Sequence, residues 1–195
     1  MLLNTNFELR PMRFLFILLF IFLLNSCADE TVVKPSSQLS LNYPVQEYSV
    51  PELDCPFDFA KNEFANITTK NNCGINISYP QMKATIYLTY QQIQEDNLEG
   101  MLRDAQKLAY GHNIKANEIF EQPRVDTVND VFGMFYIING EAASQSQFYV
   151  TDSLNHFVSG ALYFETKPNF DSIYPAVVYL RDDIRKIMET ISWKE

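Results

Sequence analysis

Over residues 83–90 apolar and polar positions alternate, with Ala84, Ile86, Leu88 and Tyr90 on one face and Lys83, Thr85, Tyr87 and Thr89 on the other. That two-residue period predicts a half-buried strand. Residues 75–79 predict another strand, stopped by Pro80. Leu98, Met101, Leu102, Ala105, Leu108 and Ala109 recur at helical spacing, behind an Asp96 or Asn97 cap. Gly111 ends or bends this helix, and residues 113–121 are expected to carry it on for another turn or two before Pro123. Residues 131–138 are apolar on both faces, as in a central strand. Asn139-Gly140 then gives a hairpin turn. Residues 142–151 return with Phe148 and Val150 inward, residues 152–155 turn, and residues 157–165 follow with Val158, Leu162 and Phe164 on one side. The last helix, residues 174–193, buries Val177, Leu180, Ile184, Ile187, Met188 and Ile191. Upstream, residues 43–50 and 57–59 are short extended pieces broken by Pro44, Pro51 and Pro56. Strands, helix, antiparallel meander and helix make an α+β fold, mainly antiparallel sheet with two principal helices, in one globular domain over residues 43–195.

The beginning of the chain follows another pattern. Arg10 and Arg13 precede an unbroken apolar run over residues 14–24. Such a run spans roughly 16 Å as helix, about half a bilayer core, so it suits the h-region of a secretory signal and not a transmembrane anchor. Leu24-Asn25-Ser26-Cys27 resembles the bacterial lipobox, which makes residues 1–26 the signal peptide and Cys27 the lipidated mature N-terminus. Several acyl chains on Cys27, palmitate among them, give stable membrane attachment where one chain is marginal. Residues 28–42 are polar and Ser/Pro-containing, a tether that reaches about 50 Å when extended. Ala28 lacks the Asp that marks inner-membrane retention, so the outer membrane, facing the periplasm, is the expected location.

Composition narrows the chemistry. Hydrophobic residues at 47% and charged residues at 20% exclude wholesale disorder. A net charge of -9 argues against nucleic acid as a partner, because phosphate contacts need a basic surface. With 6 glycines, glycine-rich phosphate loops are excluded. Cys55 and Cys73 form an even pair in an oxidising compartment, which suggests a disulfide worth about 3 kcal/mol, the alternative being two free thiols. His156 with Ser153 and Asp152 superficially resembles a hydrolase trio, but neighbours along one turn do not face one another with triad geometry. No H-E-x-x-H or calcium-loop spacing occurs, so no catalytic residue, metal or cofactor is assigned. Asp182-Asp183 is expected on a solvated helix face, paired with Arg181 and Arg185. Tyr87, Tyr149 and Tyr163 lie opposite the clearest apolar positions of their strands; they are core if both sheet faces carry helices and an exposed aromatic patch if one does.

Three tripeptides, at Asp126-Thr127-Val128, Asp152-Ser153-Leu154 and Asp171-Ser172-Ile173, resemble the Asp-Ser/Thr-aliphatic sequon for O-glycosylation of exported Bacteroidetes proteins. They make Thr127, Ser153 and Ser172 candidate modification sites, although Asp-Ser also caps turns and helices. Asn66-Ile67-Thr68 and Asn76-Ile77-Ser78 fit the eukaryotic N-glycan pattern and are discounted, because a lipobox implies a bacterium.

Several blocks in order carry a resemblance over residues 43–193: CPFDF at 55–59, YPQMKATIYL at 79–88, AQKLAYGHNIKANEI at 105–119, QFYVTDSLNHFVSGALYF at 147–164, and residues 175–190 ending in LRDDIRKIMET. They resemble the GldD family of gliding motility lipoproteins from Bacteroidetes. The resemblance implies a lipid-anchored cell-envelope component of the gliding apparatus, linked to type IX secretion, with proteins of that machinery as partners. It transfers one site, lipidation at Cys27, and no catalytic residues or cofactors. The element order is also similar to the Mog1/PsbP sandwich, a likeness of fold that implies no function. The rival reading is a periplasmic small-ligand binder or glycan-acting enzyme, which needs a cleft lined by His112 or His156.

Overall fold

In a computed structural model of the chain, the residues described are 43–194 apart from 95 and 166–168. The signal peptide, Cys27 and the tether lie outside them. The main sheet uses β4 (Asn66–Thr69), β5 (Ile75–Tyr79), β6 (Ala84–Gln92), β7 (Ala116–Asp126), β8 (Val131–Gly140), β9 (Ser144–Thr151) and β10 (His156–Phe164). Their spatial order is β4-β5-β6-β10-β9-β8-β7, antiparallel throughout. The chain leaves the sheet after β6 and forms α1 (Leu98–Tyr110). It re-enters at the far edge as β7, then meanders back until β10 pairs with β6. The second helix, α2 (Phe170–Thr190), lies on one face.

Alternation sorts the side chains. Ile86 and Leu88 of β6, Val158 and Leu162 of β10, and Phe148 and Val150 of β9 point to one face and are buried. There they meet Leu180, Ile184, Ile187 and Met188 of α2. Complete burial of one such side chain contributes about 1.5–3 kcal/mol, so this two-layer contact is the main stabilising element. The margins of this layer are closed by short pieces: β1 (Tyr48–Ser49) pairs with β3 (Lys61–Asn62), and β2 (Phe57–Asp58) pairs with β11 (Ser192–Trp193). A Cys55–Cys73 disulfide, Cα atoms 5.7 Å apart, ties the β1–β3 region to the β4–β5 turn.

Three expectations shift. Residues 113–121 are not helix: Gly111 N–H closes α1 on the Lys107 carbonyl at 2.8 Å, and β7 follows. β7 is an edge strand exposed along most of its length, so its sequence carries no two-residue signature. Pro123 fits there because an edge strand leaves half of its backbone groups unpaired, and its missing N–H blunts a long free edge. The hairpin turn falls after Asn139-Gly140, which close β8. Gly140 adopts φ 113°, and a Cβ there would come within 2.6 Å of the Asn117 nitrogen. Finally, Asp183 is not solvated. It is 1% exposed and Arg181 is 7% exposed, while Asp182 alone of the pair forms a surface contact, 2.7 Å to Arg185.

The disulfide closes a loop of sequence separation 18. Reduction, or the Cys55→Ala/Cys73→Ala pair, is expected to lower the unfolding free energy by about 3 kcal/mol. Urea titration with and without reductant measures this, and coincident curves would refute it.

Candidate functional site

The sheet face opposite α2 is only partly covered. Strand register sets Tyr87, Ala161, Gln147 and Tyr136 side by side across β6, β10, β9 and β8. Thr89, Ser159 and Tyr149 form the next row. α1 crosses these rows, but its apolar stripe is thin. Ala109 is its one buried residue among those described, and Leu108 remains 55% exposed. Between Ala105 and Leu108 above and the sheet below lies a cleft of about 210 Å³. Small Ala161 forms part of the floor, and Tyr87 and Tyr163 meet edge to face, centroids 5.9 Å apart at 66°. Tyr87 is 42% exposed and Tyr163 half-buried, so they are neither full core nor bare patch. Tyr149 is half-buried by stacking at 5.5 Å on Phe157.

One polar group in the cleft is unusual. Gln147 is 3% exposed, and its Nε2 lies 2.8 Å from His112 Nε2. An amide nitrogen can only donate, so the His112 nitrogen accepts and that ring is neutral with its proton on Nδ1. Burial lowers the His112 pKa and favours this state. The Gln147 Oε1 then has no hydrogen-bond partner, although a buried acceptor without one costs about 1–3 kcal/mol. Tyr136, beside Gln147, is pushed up to about 12 by burial and keeps its proton.

Two further polar clusters hold the other layer together. The Asp183 carboxylate accepts from Tyr48 Oη at 2.7 Å, Gln46 Nε2 at 3.0 Å and Asn62 Nδ2 at 3.1 Å, which fastens the 43–62 segment to α2. Burial raises its pKa, and these donors pull partly the other way. The Tyr79 hydroxyl, buried nearby, feels the Asp183 charge but makes no hydrogen bond. Arg181 donates to the Ile138 and Gln145 carbonyls at 3.1 and 3.2 Å and to Asn139 Oδ1 at 2.9 Å, clamping the β8–β9 connection onto α2. Desolvation lowers its pKa to about 10. Periodicity missed both groups because they flank the apolar stripe by one position, where a helix face can turn either way.

The residues singled out from sequence are dispersed. His156 donates to or accepts from Tyr90 Oη at 3.0 Å and stacks on Trp193 at 5.1 Å. Asp152 Oδ1 instead accepts the backbone N–H groups of Leu154, Asn155 and His156 at 2.8–2.9 Å, so the trio forms a capped turn and no triad. Thr127 and Ser153 are exposed in the β7–β8 and β9–β10 turns, and Asp126 caps the first as Asp152 caps the second. Ser172 is exposed in the first turn of α2, its Oγ donating to the Asn169 carbonyl at 2.9 Å. His112 stands behind the cleft wall and holds Gln147. Among the described residues no group of His, Cys, Asp and Glu is arranged to hold a metal.

A family model for the gliding motility lipoprotein GldD matches residues 28–193. The chain belongs to the GldD family. No curated protein matches the sequence. The match begins one residue beyond Cys27 and takes in every strand and helix described for this GldD protein. GldD proteins are described by gliding motility and lipidation, not by a catalysed reaction, and membership makes this one a lipid-anchored component of the cell envelope.

Asp183 supplies a test of the α2 attachment. Asp183→Ala strands one buried donor, Asn62, and two half-buried ones, Gln46 and Tyr48, and is expected to cost about 3 kcal/mol in chemical denaturation. In the folded state its pKa lies above the unfolded value of 3.8, so the native protein holds a proton where the unfolded chain releases it. Stability from this group is therefore present in acid and lost as pH rises through the folded pKa. Relative to Asp183→Asn, the wild type should lose stability as pH rises from about 4 through the raised folded pKa; parallel pH profiles would contradict this.

Proposed function

We propose that this GldD protein is a non-enzymatic accessory or assembly part of the gliding apparatus, linked to type IX secretion and carried on the outer membrane by lipid on Cys27. The observation that carries the proposal is the family match from residue 28, directly behind a lipobox-like Leu24-Asn25-Ser26-Cys27. Several acyl chains hold the protein at the membrane, and a tether of about 50 Å lets the α+β domain reach envelope proteins from there. The absence of Asp at position 28 favours the outer membrane, with the domain on the periplasmic side. The net charge of -9 suits protein partners better than nucleic acid.

Cys27→Ala is expected to abolish incorporation of labelled palmitate, move the protein from membrane to soluble fractions, and stop colony spreading. Normal spreading by a soluble, unlipidated protein would overturn the anchoring role. Thr127, Ser153 and Ser172 are exposed and accessible to an O-glycosylation enzyme. Peptide mass spectrometry of protein from its native envelope should find glycan on at least one of them, and three unmodified peptides would remove this part of the proposal.

A further inference from the structure

Beside β4, at the short edge of the main sheet, lies a groove of about 180 Å³ whose walls include Pro44, Phe64, Asn66, Pro80 and Met82. Among the described residues its lining carries no charged side chain, and Phe64 stands there 52% exposed. Among the described residues no strand pairs with the outer side of β4, so half of its backbone N–H and C=O groups face outward. A free edge is ordinarily blunted by Pro or by charge, as Pro123 blunts β7. Asn66-Ile67-Thr68-Thr69 has neither.

The path of the entering chain leads to this edge. β1 pairs antiparallel with β3, Tyr48 opposite Asn62, and the Glu63 N–H donates to the Glu47 carbonyl at 2.8 Å. Successive residues upstream of Tyr48 therefore run beside successive residues downstream of Asn62, and Pro44 and Asn66 share the groove. Tyr43 is pinned by stacking on Tyr179 of α2, centroids 5.1 Å apart. From there the preceding chain is directed along β4. Residues 38–42, Gln-Leu-Ser-Leu-Asn, alternate polar and apolar with the period of a strand. In extended chain Leu39 and Leu41 take the same side as Tyr43, the side of α2, on which Ile67 of β4 packs against the core. Leu41 is two residues from Tyr43, within about 7 Å.

We propose that residues 38–42 add to the outer edge of β4 as a further antiparallel strand, with Leu41 closing the groove against Phe64 and Met82. The uncharged lining suits a leucine side chain, and the unpaired edge suits an extended backbone. A segment joined directly to Tyr43 meets the edge at an effective concentration of about millimolar, which favours it over a second copy that would gain only a four-residue strand. The free part of the tether is then residues 28–37, which reach about 35 Å in place of about 50 Å. Only this shortened reach rests on the lipid-anchor reading; the strand addition does not.

The test uses the full-length lipoprotein in detergent micelles, with hydrogen exchange and cross-strand NOEs read for residues 38–42 and for β4. Amides within residues 38–42 should exchange at least about tenfold more slowly than in Leu39→Asp/Leu41→Asp, while the β5 and β6 amides keep their protection. NOEs should join Leu41 to Phe64 and to residues of β4. Because Phe64 is half exposed, Phe64→Ser should speed exchange in residues 38–42 with an unchanged melting temperature. Palmitate incorporation is followed in the same samples and should be equal in all of them, which separates failure of this inference from failure of the anchor. Unprotected amides in the wild type, or equal protection in the double variant, would overturn the proposal. Protection of β4 that rises with protein concentration would assign the edge to a second copy and overturn it as well.

Discussion

Everything else in this molecule depends on the contact between α2 and one face of the seven-stranded sheet. Leu180, Ile184 and Ile187 are completely or almost completely buried there against strands that are far apart in sequence. No strand pair alone would be stable in water, since a two-stranded ribbon has no second layer in which to bury its apolar face. α2 supplies that layer for β5, β6, β10, β9 and β8 together. It also draws in the chain between Tyr43 and Asn62, because Asp183, at the border of the apolar stripe, is the common acceptor for Gln46, Tyr48 and Asn62.

The opposite face has no comparable cover. α1 has a short stripe that buries Ala109 and leaves Leu108 largely in solvent. A helix held this lightly leaves space against the sheet, and the space is lined with tyrosines, hydroxyls and an amide alongside Ala105, Leu108 and Ala161. Gln147, beneath this space, is held by His112 through its amide nitrogen, and its oxygen is buried without a partner. One face therefore carries most of the stability and the other stays partly open, with the described chain entering beside the stable layer through β1 and β3.

Much of the fold is legible in local patterns. Ile75–Tyr79 is a strand of the length its apolar alternation and Pro80 define, and Val177, Leu180, Ile184, Ile187 and Met188 of α2 are buried as its spacing marks. The Cys55–Cys73 pair follows from compartment and count. β7 was illegible because an exposed edge strand buries neither face, so nothing selects a period in its sequence. Asp183 and Arg181 were misread for a related reason: charged residues next to a helical stripe look solvated until a second element, here the 43–62 segment and the β8–β9 connection, arrives to enclose them. The residues lining the cleft divide in the same way. Tyr87 and Tyr163 drew notice as off-face aromatics, whereas Gln147 carries no local signal at all.

Sequence by itself determined the family and the α+β class, because these reside in contiguous patterns: the ordered blocks that match GldD proteins and the periods of most strands and helices. Tertiary structure alone decided that β10 pairs with β6 across the α1 excursion, that α1 leaves a cleft, and that Gln147 meets His112 from 35 residues away. The physical reason is that periodicity reports whether a side chain prefers water or its absence, while partnership depends on which distant surface excludes that water.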